Sequence, residues 1–302
     1  MKLNCFGSKI LGIVFGATVV LTNTEAKAFQ IYTLSSGAPG GGNPTRFGVV
    51  DANTGVYTNI SNLGVAAHRN LVSFGDSFYT TRRAGLNGEL GLISRSGVFT
   101  LVGGANGLQR TVFGMSMDPG GTMYGVDFNA NPNTLGTIST TSGAWSLIGS
   151  TGLTQVNNNT NSQGGKLAFH NGTLYMSSRA TAAPITSRFG SVNTTTGAFA
   201  SIGANPLMQY MVLTSYEGVL YGLYSNGSTA TPAILPGIYT IDVATGASTR
   251  IRDIVGFGAS SYLHGASAVP APLPMLGAAA VFGSVRKLRV FSKRLATLKK
   301  IG

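Results

Sequence analysis

The chain has 302 residues, 43% of them hydrophobic and only 10% charged, with 43 glycines, one cysteine and a formal net charge of +12. One cysteine excludes internal disulfides and thiolate metal clusters, so stability must come from packing, for which the chain is long enough. The charge would suggest nucleic acid if it covered the fold, but between Phe29 and Pro270 eleven basic side chains stand against eight acidic ones, a net of +3. Seven more cations cluster from Arg286 to Lys300, and no nucleic-acid partner is expected.

At the N-terminus Lys2 and Lys9 lead into an apolar run, Ile10 to Leu21, and then into a polar stretch ending Ala26-Lys27-Ala28. Residues 1–28 therefore read as a secretory signal peptide. The basic end stays inside, the short apolar helix enters the Sec translocon, and Ala26 and Ala28 fit the signal peptidase pocket, with cleavage after Ala28. The run is shorter than the ~20 apolar residues that a membrane span needs. Cys5 precedes the run, whereas a lipoprotein cysteine would follow it, so the mature chain carries no thiol.

From Phe29 onward the sequence repeats itself. Five segments share an alternating apolar run, a small-residue turn with glycine, and a second alternating run: 47–57, 90–101, 135–148, 189–202 and 238–251. Their turn glycines, Gly55, Gly97, Gly143, Gly197 and Gly246, lie 42, 46, 54 and 49 residues apart. Each follows Ser or Thr, as a tight hairpin needing positive φ would ask. A second hairpin signal precedes the last four segments, at Gly75-Asp76, Gly120-Gly121, Asn171-Gly172 and Glu217-Gly218, each followed within four residues by a tyrosine: Tyr79, Tyr124, Tyr175 and Tyr221. Each unit is thus four strands.

The first unit lacks an opening strand, and 260–266, beyond the last hairpin, matches the missing one. Pairing it with the N-terminal strands would complete a blade from both chain ends and leave no open edge. The fold class is all-β, a propeller of about five four-stranded blades over residues 29–268. An open β-sandwich and a β-solenoid are the alternatives, the latter with shorter coils than this repeat.

Connections between second and third strands vary most, and in a propeller they open on one face together with the connections between blades. That rim would carry His68, Arg69, Arg82, Arg83, Arg110, Asn157, Asn158, Asn159 and Tyr224, whose amides, guanidinium groups and ring could hold a sugar or a peptide. No catalytic signature accompanies them. His68, His170 and His264 are isolated, with no metal-ligand spacing, His170 in a turn and His264 in an inner strand. No nucleophile elbow, phosphate loop or calcium loop occurs, and neither a metal nor a cofactor is expected. Eight acids could supply the carboxylate pair of a glycosidase only from distant positions.

After the last strand come Pro270-Ala271-Pro272-Leu273-Pro274, an apolar stretch to Val285, and a basic tail opening with Arg286, Lys287 and Arg289. Residues 269–302, in this order of proline motif, short apolar helix and basic cluster, resemble a PEP-CTERM sorting signal in its cyanobacterial Pro-Ala-Pro-Leu-Pro form. The resemblance implies export, transient membrane retention by the apolar helix, and recognition by an exosortase-type membrane protease. Ala271 stands where the name-giving glutamate would be, and the tail runs past the usual cluster. Leu288, Phe291, Leu295, Leu298 and Ile301 recur at helical spacing there, as in a basic amphipathic helix lying on a membrane surface.

The expected protein is an exported, non-catalytic binding or structural propeller of the envelope, cell surface or extracellular matrix, with an envelope polysaccharide or protein as its ligand. The alternative is a propeller hydrolase or lyase acting on extracellular polysaccharide.

Overall fold

The computed structural model describes residues 29–36, 44–64, 68–84, 87–104, 107–127, 130–154, 166–179, 187–205, 211–225, 236–257 and 262–270. The signal segment with Ala26 and Ala28, the sorting residues Ala271, Pro272, Leu273, Pro274, Arg286, Lys287 and Arg289, and Asn157, Asn158 and Asn159 lie outside the described residues. Among those described there are twenty strands and no helix.

The strands form five antiparallel four-stranded sheets. Blade one contains β1 (Phe29–Ser36), β2 (Arg46–Asp51) and β3 (Tyr57–Asn62). Blade two is β4 (His68–Phe74), β5 (Ser77–Ala84), β6 (Asn87–Ser94) and β7 (Phe99–Val102). Blade three is β8 (Val112–Met117), β9 (Met123–Asp127), β10 (Thr134–Ile138) and β11 (Trp145–Ser150). Blade four is β12 (Lys166–His170), β13 (Thr173–Arg179), β14 (Ser187–Val192) and β15 (Phe199–Ala204). Blade five is β16 (Met211–Tyr216), β17 (Val219–Tyr224), β18 (Gly237–Ile241) and β19 (Ser248–Asp253).

The chain's last strand, β20 (Tyr262–Pro270), is the innermost strand of blade one and pairs along β1 from Phe29 with Pro270 to Ser36 with Tyr262. It thus ends two residues beyond the domain end expected at 268, because Val269 is buried and pairs with Gln30. The inner strands β20, β4, β8, β12 and β16 neighbour one another in that order and back to β20. This circular order is a five-bladed propeller, and it excludes a linear stack.

The core is correspondingly divided. Five apolar clusters lie each between two neighbouring blades: Tyr32, Leu34, Phe47, Leu71 and Phe78 join blades one and two, and Ala168, Phe189, Leu213 and Tyr239 join four and five. The second-strand tyrosines stand at these seams. Tyr32 lies 4.6 Å from the Phe78 ring, and Tyr79 donates across to the carbonyl of Thr140 at 3.2 Å.

The turn glycines have the positive φ expected, 76°, 84°, 72°, 81° and 73° in chain order. The turns themselves are longer than tight hairpins. A polar residue three or four positions before each glycine, Asp51, Ser94, Ser139, Asn193 or Asp242, accepts the glycine N–H on its carbonyl. Its side chain accepts a further N–H from within the turn or just after the glycine, as from Asn53 and Thr54 to Asp51 at 2.8 and 3.0 Å.

Third-strand glycines serve another purpose. Gly48, Gly91, Gly136 and Gly190 lie beneath Tyr57, Phe99, Trp145 and Phe199 of the fourth strand, whose rings occupy the space a side chain would need. In blade five the exchange is reciprocal, with Tyr239 in the glycine's place and Ser248 in the ring's.

A further glycine closes blade on blade. A β-carbon on Gly103, Gly149 or Gly203 would run into the carbonyl oxygen of Ser142, Thr196 or Thr245, in the turn of the following blade. Ser61 makes the equivalent contact by donating to the Gly97 carbonyl at 3.2 Å. Between last and first blades, Val255 N–H donates to Gly55 at 3.0 Å and Tyr57 N–H to Val255 at 2.9 Å. Gly149→Val, which must push backbone away from backbone, is expected to lower Tm by about 5 °C, from about 2 kcal/mol of overpacking. Gly104→Ala, with open space around it, should leave Tm unchanged in the same calorimetric comparison.

Antiparallel blades give the ring two distinct faces. One, the turn face, carries the turns between first and second and between third and fourth strands. The other, the loop face, carries the second-to-third connections and the links between blades.

Candidate functional site

Charge is sorted between the two faces. At loop-face ends of strands, or reaching them, stand Arg46, Arg69, Arg82, Arg83, Arg110, Lys166, Arg179, Arg188, Arg250 and Arg252, ten of the eleven basic residues, with the acids Glu89, Asp127 and Asp253. The turn face holds the other five acids, Asp51, Asp76, Asp118, Glu217 and Asp242, and the one remaining cation, Arg95. A net of +3 thus conceals a basic face opposite an acidic one.

Two of the three loop-face acids are buried and committed. Arg82 donates from Nε and Nη2 to the same oxygen of Glu89 at 2.8 and 2.5 Å, and Arg110 lies 3.4 Å from Asp127, which is wholly buried. Exposed Asp253 pairs with Arg250 at 2.9 Å. Arg46, Arg83, Arg188 and Arg252 are exposed on this face.

The expected rim is brought together in part. Arg69, Arg82, Arg83 and Arg110 surround one recess, floored by Thr81, Gly88 and Val112. His68 and Tyr224 do not belong to it. His68 is 1% exposed, edge-on to Phe99 at 4.9 Å, with no partner for Nδ1; burial, then the Arg82 charge, pull it down to about 4 against the opposing pull of Glu89. Tyr224 is buried against Tyr239, because a second-strand residue facing the seam between blades is core even at the loop end. His170, read as a turn residue, is the buried last residue of β12, with Nδ1 2.9 Å from the Ser215 hydroxyl.

The central channel is built from corresponding positions of the inner strands. Leu71, Met115, Leu167, Leu213 and Ala266 form an apolar collar, one from each blade. On the turn-face side of it lies a cavity of about 460 Å³, lined by Ser73, Ser116, Thr214, Ser215 and Ser267 among others, with Asp118 as the carboxylate among its described lining. Three of these hydroxyls also join blades: Ser116 accepts the N–H of Phe169 at 2.8 Å, Thr214 that of Ala268 at 2.9 Å and Ser267 that of Ser73 at 2.9 Å. They satisfy N–H groups of inner strands that have no further strand to pair with.

On the loop-face side the channel changes character. Lys166, Arg69 and His264 project from β12, β4 and β20. The Lys166 amine donates to the carbonyls of Phe113 at 3.1 Å and His264 at 2.7 Å. The Arg69 guanidinium lies 4.0 Å over the Phe113 ring, and its buried Nε has no hydrogen-bond partner. A bulge in β4 aims Arg69: Asn70 has φ +59° and is held by its side-chain amide to the Thr81 hydroxyl and the Val112 carbonyl. The His264 ring lies 2.6 Å from the Ser36 hydroxyl.

Sequence reading placed Arg69 on the outer rim and His264 in an inner strand, where it stands on β20, and gave Lys166 no role. The available signal was Lys166 itself, the only lysine between Lys27 and Lys287, standing at the head of an inner strand.

No family model matches the chain, and no curated protein matches its sequence. Its fold is similar to that of an α-L-arabinofuranosidase (CtGH43) from Clostridium thermocellum ATCC 27405, at 15% identity over 74% of this chain and 91% of that one, with a TM-score of 0.52. TolB from Acinetobacter baumannii is 11% identical over 75% of this chain and 53% of that one, with a TM-score of 0.44. A GH43B protein of a Bacteroides ovatus xyloglucan locus gives 14% identity over 61% of this chain and a TM-score of 0.44, and the chain spans 40% of that protein's length. At 15% identity the likeness to the arabinofuranosidase is one of fold alone.

Proposed function

We propose that this chain is an exported, non-catalytic β-propeller of the cell surface or extracellular matrix that binds an acidic envelope polysaccharide through its loop face. The observation that carries the reading is the separation of charge, ten basic residues against three acids on one face of a weakly charged ring. Clustered exposed guanidinium groups suit carboxylate or sulfate groups along a flexible polymer.

Delivery follows from the tails: the Sec translocon and signal peptidase at 1–28, a PEP-CTERM-like signal and an exosortase-type protease at 269–302. Pro270 pairs with Phe29 at the turn face, so retention through the C-terminal segment would present the basic loop face away from the membrane. Recovery of the intact chain in cytoplasm after fractionation would refute export.

Binding is tested with the full-length chain on immobilised polyuronate and on neutral dextran. The chain should be retained on polyuronate at low salt and released as salt screens the charges. Arg83→Glu combined with Arg188→Glu should weaken it at least tenfold. Equal retention on dextran would overturn the reading.

The rival reading, a polysaccharide hydrolase or lyase, is favoured by the channel cavity of about 460 Å³, a ligand-sized space. Glycoside hydrolysis ordinarily needs two carboxylates flanking the scissile bond, and Asp118 is the one carboxylate among the described lining residues.

A further inference from the structure

The loop-side end of the channel concentrates positive charge where the chain supplies no negative charge. Lys166 and Arg69 sit close enough that each disfavours a proton on His264. All eight carboxylates between residues 29 and 270 are committed elsewhere: Glu89 and Asp127 to Arg82 and Arg110, Asp253 to Arg250, and five to the turn face. The segments of this span outside the described residues contain neither Asp nor Glu, so none can bring a carboxylate to the site.

An ammonium and a guanidinium half-buried together are costly unless a counter-charge joins them. Two of the three Lys166 N–H groups are taken by carbonyls, and Arg69 Nε is buried and unpartnered. The adjoining cavity, bounded by Asn70, Leu71, Met115, Lys166, Val212 and His264, is about 10 Å³, the space of one water-sized guest, with Arg69 lining the neighbouring recess. A phosphate or a sugar is too large for it.

We propose that the channel binds a halide-sized inorganic anion between Lys166 and Arg69, beneath the apolar collar. The anion neutralises the inner strands of blades two and four and so fastens these two blades across the ring's centre. Burial and the Arg69 charge hold Lys166 down to about 7, and a bound anion would return it toward its ordinary range. The other charged or titratable group facing it is His264 on β20, while β8 and β16 present Phe113, Met115, Val212 and Leu213. It lies on the same loop face as the proposed polymer surface, but the exposed arginines Arg46, Arg188 and Arg252 take no part in it.

The full-length chain is melted in sodium gluconate and again with 0.1 M chloride or bromide (about that concentration) at constant ionic strength. Halide should raise Tm by about 5 °C, the shift given by a ligand well above its Kd. Lys166→Met should abolish that rise, whereas Arg188→Glu with Arg252→Glu, both exposed and away from the channel, should leave it intact. Should Lys166→Met fail to fold, anomalous scattering from a bromide-soaked crystal decides, with a peak expected between Lys166 Nζ and Arg69 Nε. Equal melting in halide and gluconate, a halide response that survives Lys166→Met, or bromide peaks confined to surface arginines would overturn the proposal.

Discussion

A chain ending at Phe257, and so lacking β20, loses its cooperative thermal transition. The strand places Tyr262, Leu263, Ala266, Ala268 and Val269 in buried positions, and its Ser267 hydroxyl accepts the N–H of Ser73 on the neighbouring blade. Without it β1 becomes an open edge, and β4 and β16 lose the strand that lies between them. The apolar burial alone is worth on the order of 5 to 10 kcal/mol, comparable with the whole stability of a domain. Differential scanning calorimetry should show no sharp transition for this truncation, whereas a chain ending at Pro270 should melt like the full-length protein. Matching transitions in both would mean that the ring does not depend on closure by the C-terminal strand.

Mild acid is expected to destabilise the ring through its buried histidines. His68 is held to about 4 and His264 to about 3, chiefly by burial, with Arg82 adding to the first and Lys166 and Arg69 to the second; burial lowers His170 as well. In the unfolded chain each returns to about 6.5. Their contribution is therefore fully present above pH 6.5. As pH falls below it, the unfolded chain takes up protons that the folded ring refuses, and the loss continues until the folded values are reached. With two such groups the slope approaches about 2.7 kcal/mol per pH unit, for a loss on the order of 5 kcal/mol by pH 4. Lys166 is protonated in both states below pH 6 and adds little slope there. Urea unfolding between pH 7 and 4.5 measures the effect, and His68→Gln combined with His264→Gln should flatten the curve. An unchanged slope in that variant would show that these rings are not what acid acts on.

The blade pattern was legible because it is local. A turn glycine needing positive φ, a polar cap ahead of it and alternating apolar residues on either side all lie within about fifteen residues, and five copies confirm one another. Closure was legible too, since a first unit short of one strand and a spare strand at the far end admit a single repair. The glycine contacts between blades were less visible. Gly103, Gly149 and Gly203 each lie four residues after the fourth strand's first aromatic residue, but only the approach of the next blade's backbone gives them a reason.

For the candidate site the division falls differently. Sequence by itself determined the inventory: nineteen charged residues between Phe29 and Pro270, eight of them acids, and a lone lysine. Tertiary structure decided where that inventory acts. Strand direction carried the basic residues to one face and most acids to the other, and ring closure set Lys166, Arg69 and His264 around one end of a channel despite sequence separations of about one hundred residues or more. It also withdrew His68 and Tyr224 from the rim, because solvent exposure depends on the blade packed alongside, which no local spacing records. Local backbone chemistry repeats with the chain and can be read along it, whereas charge cancellation and burial are sums over neighbours that only the closed ring defines.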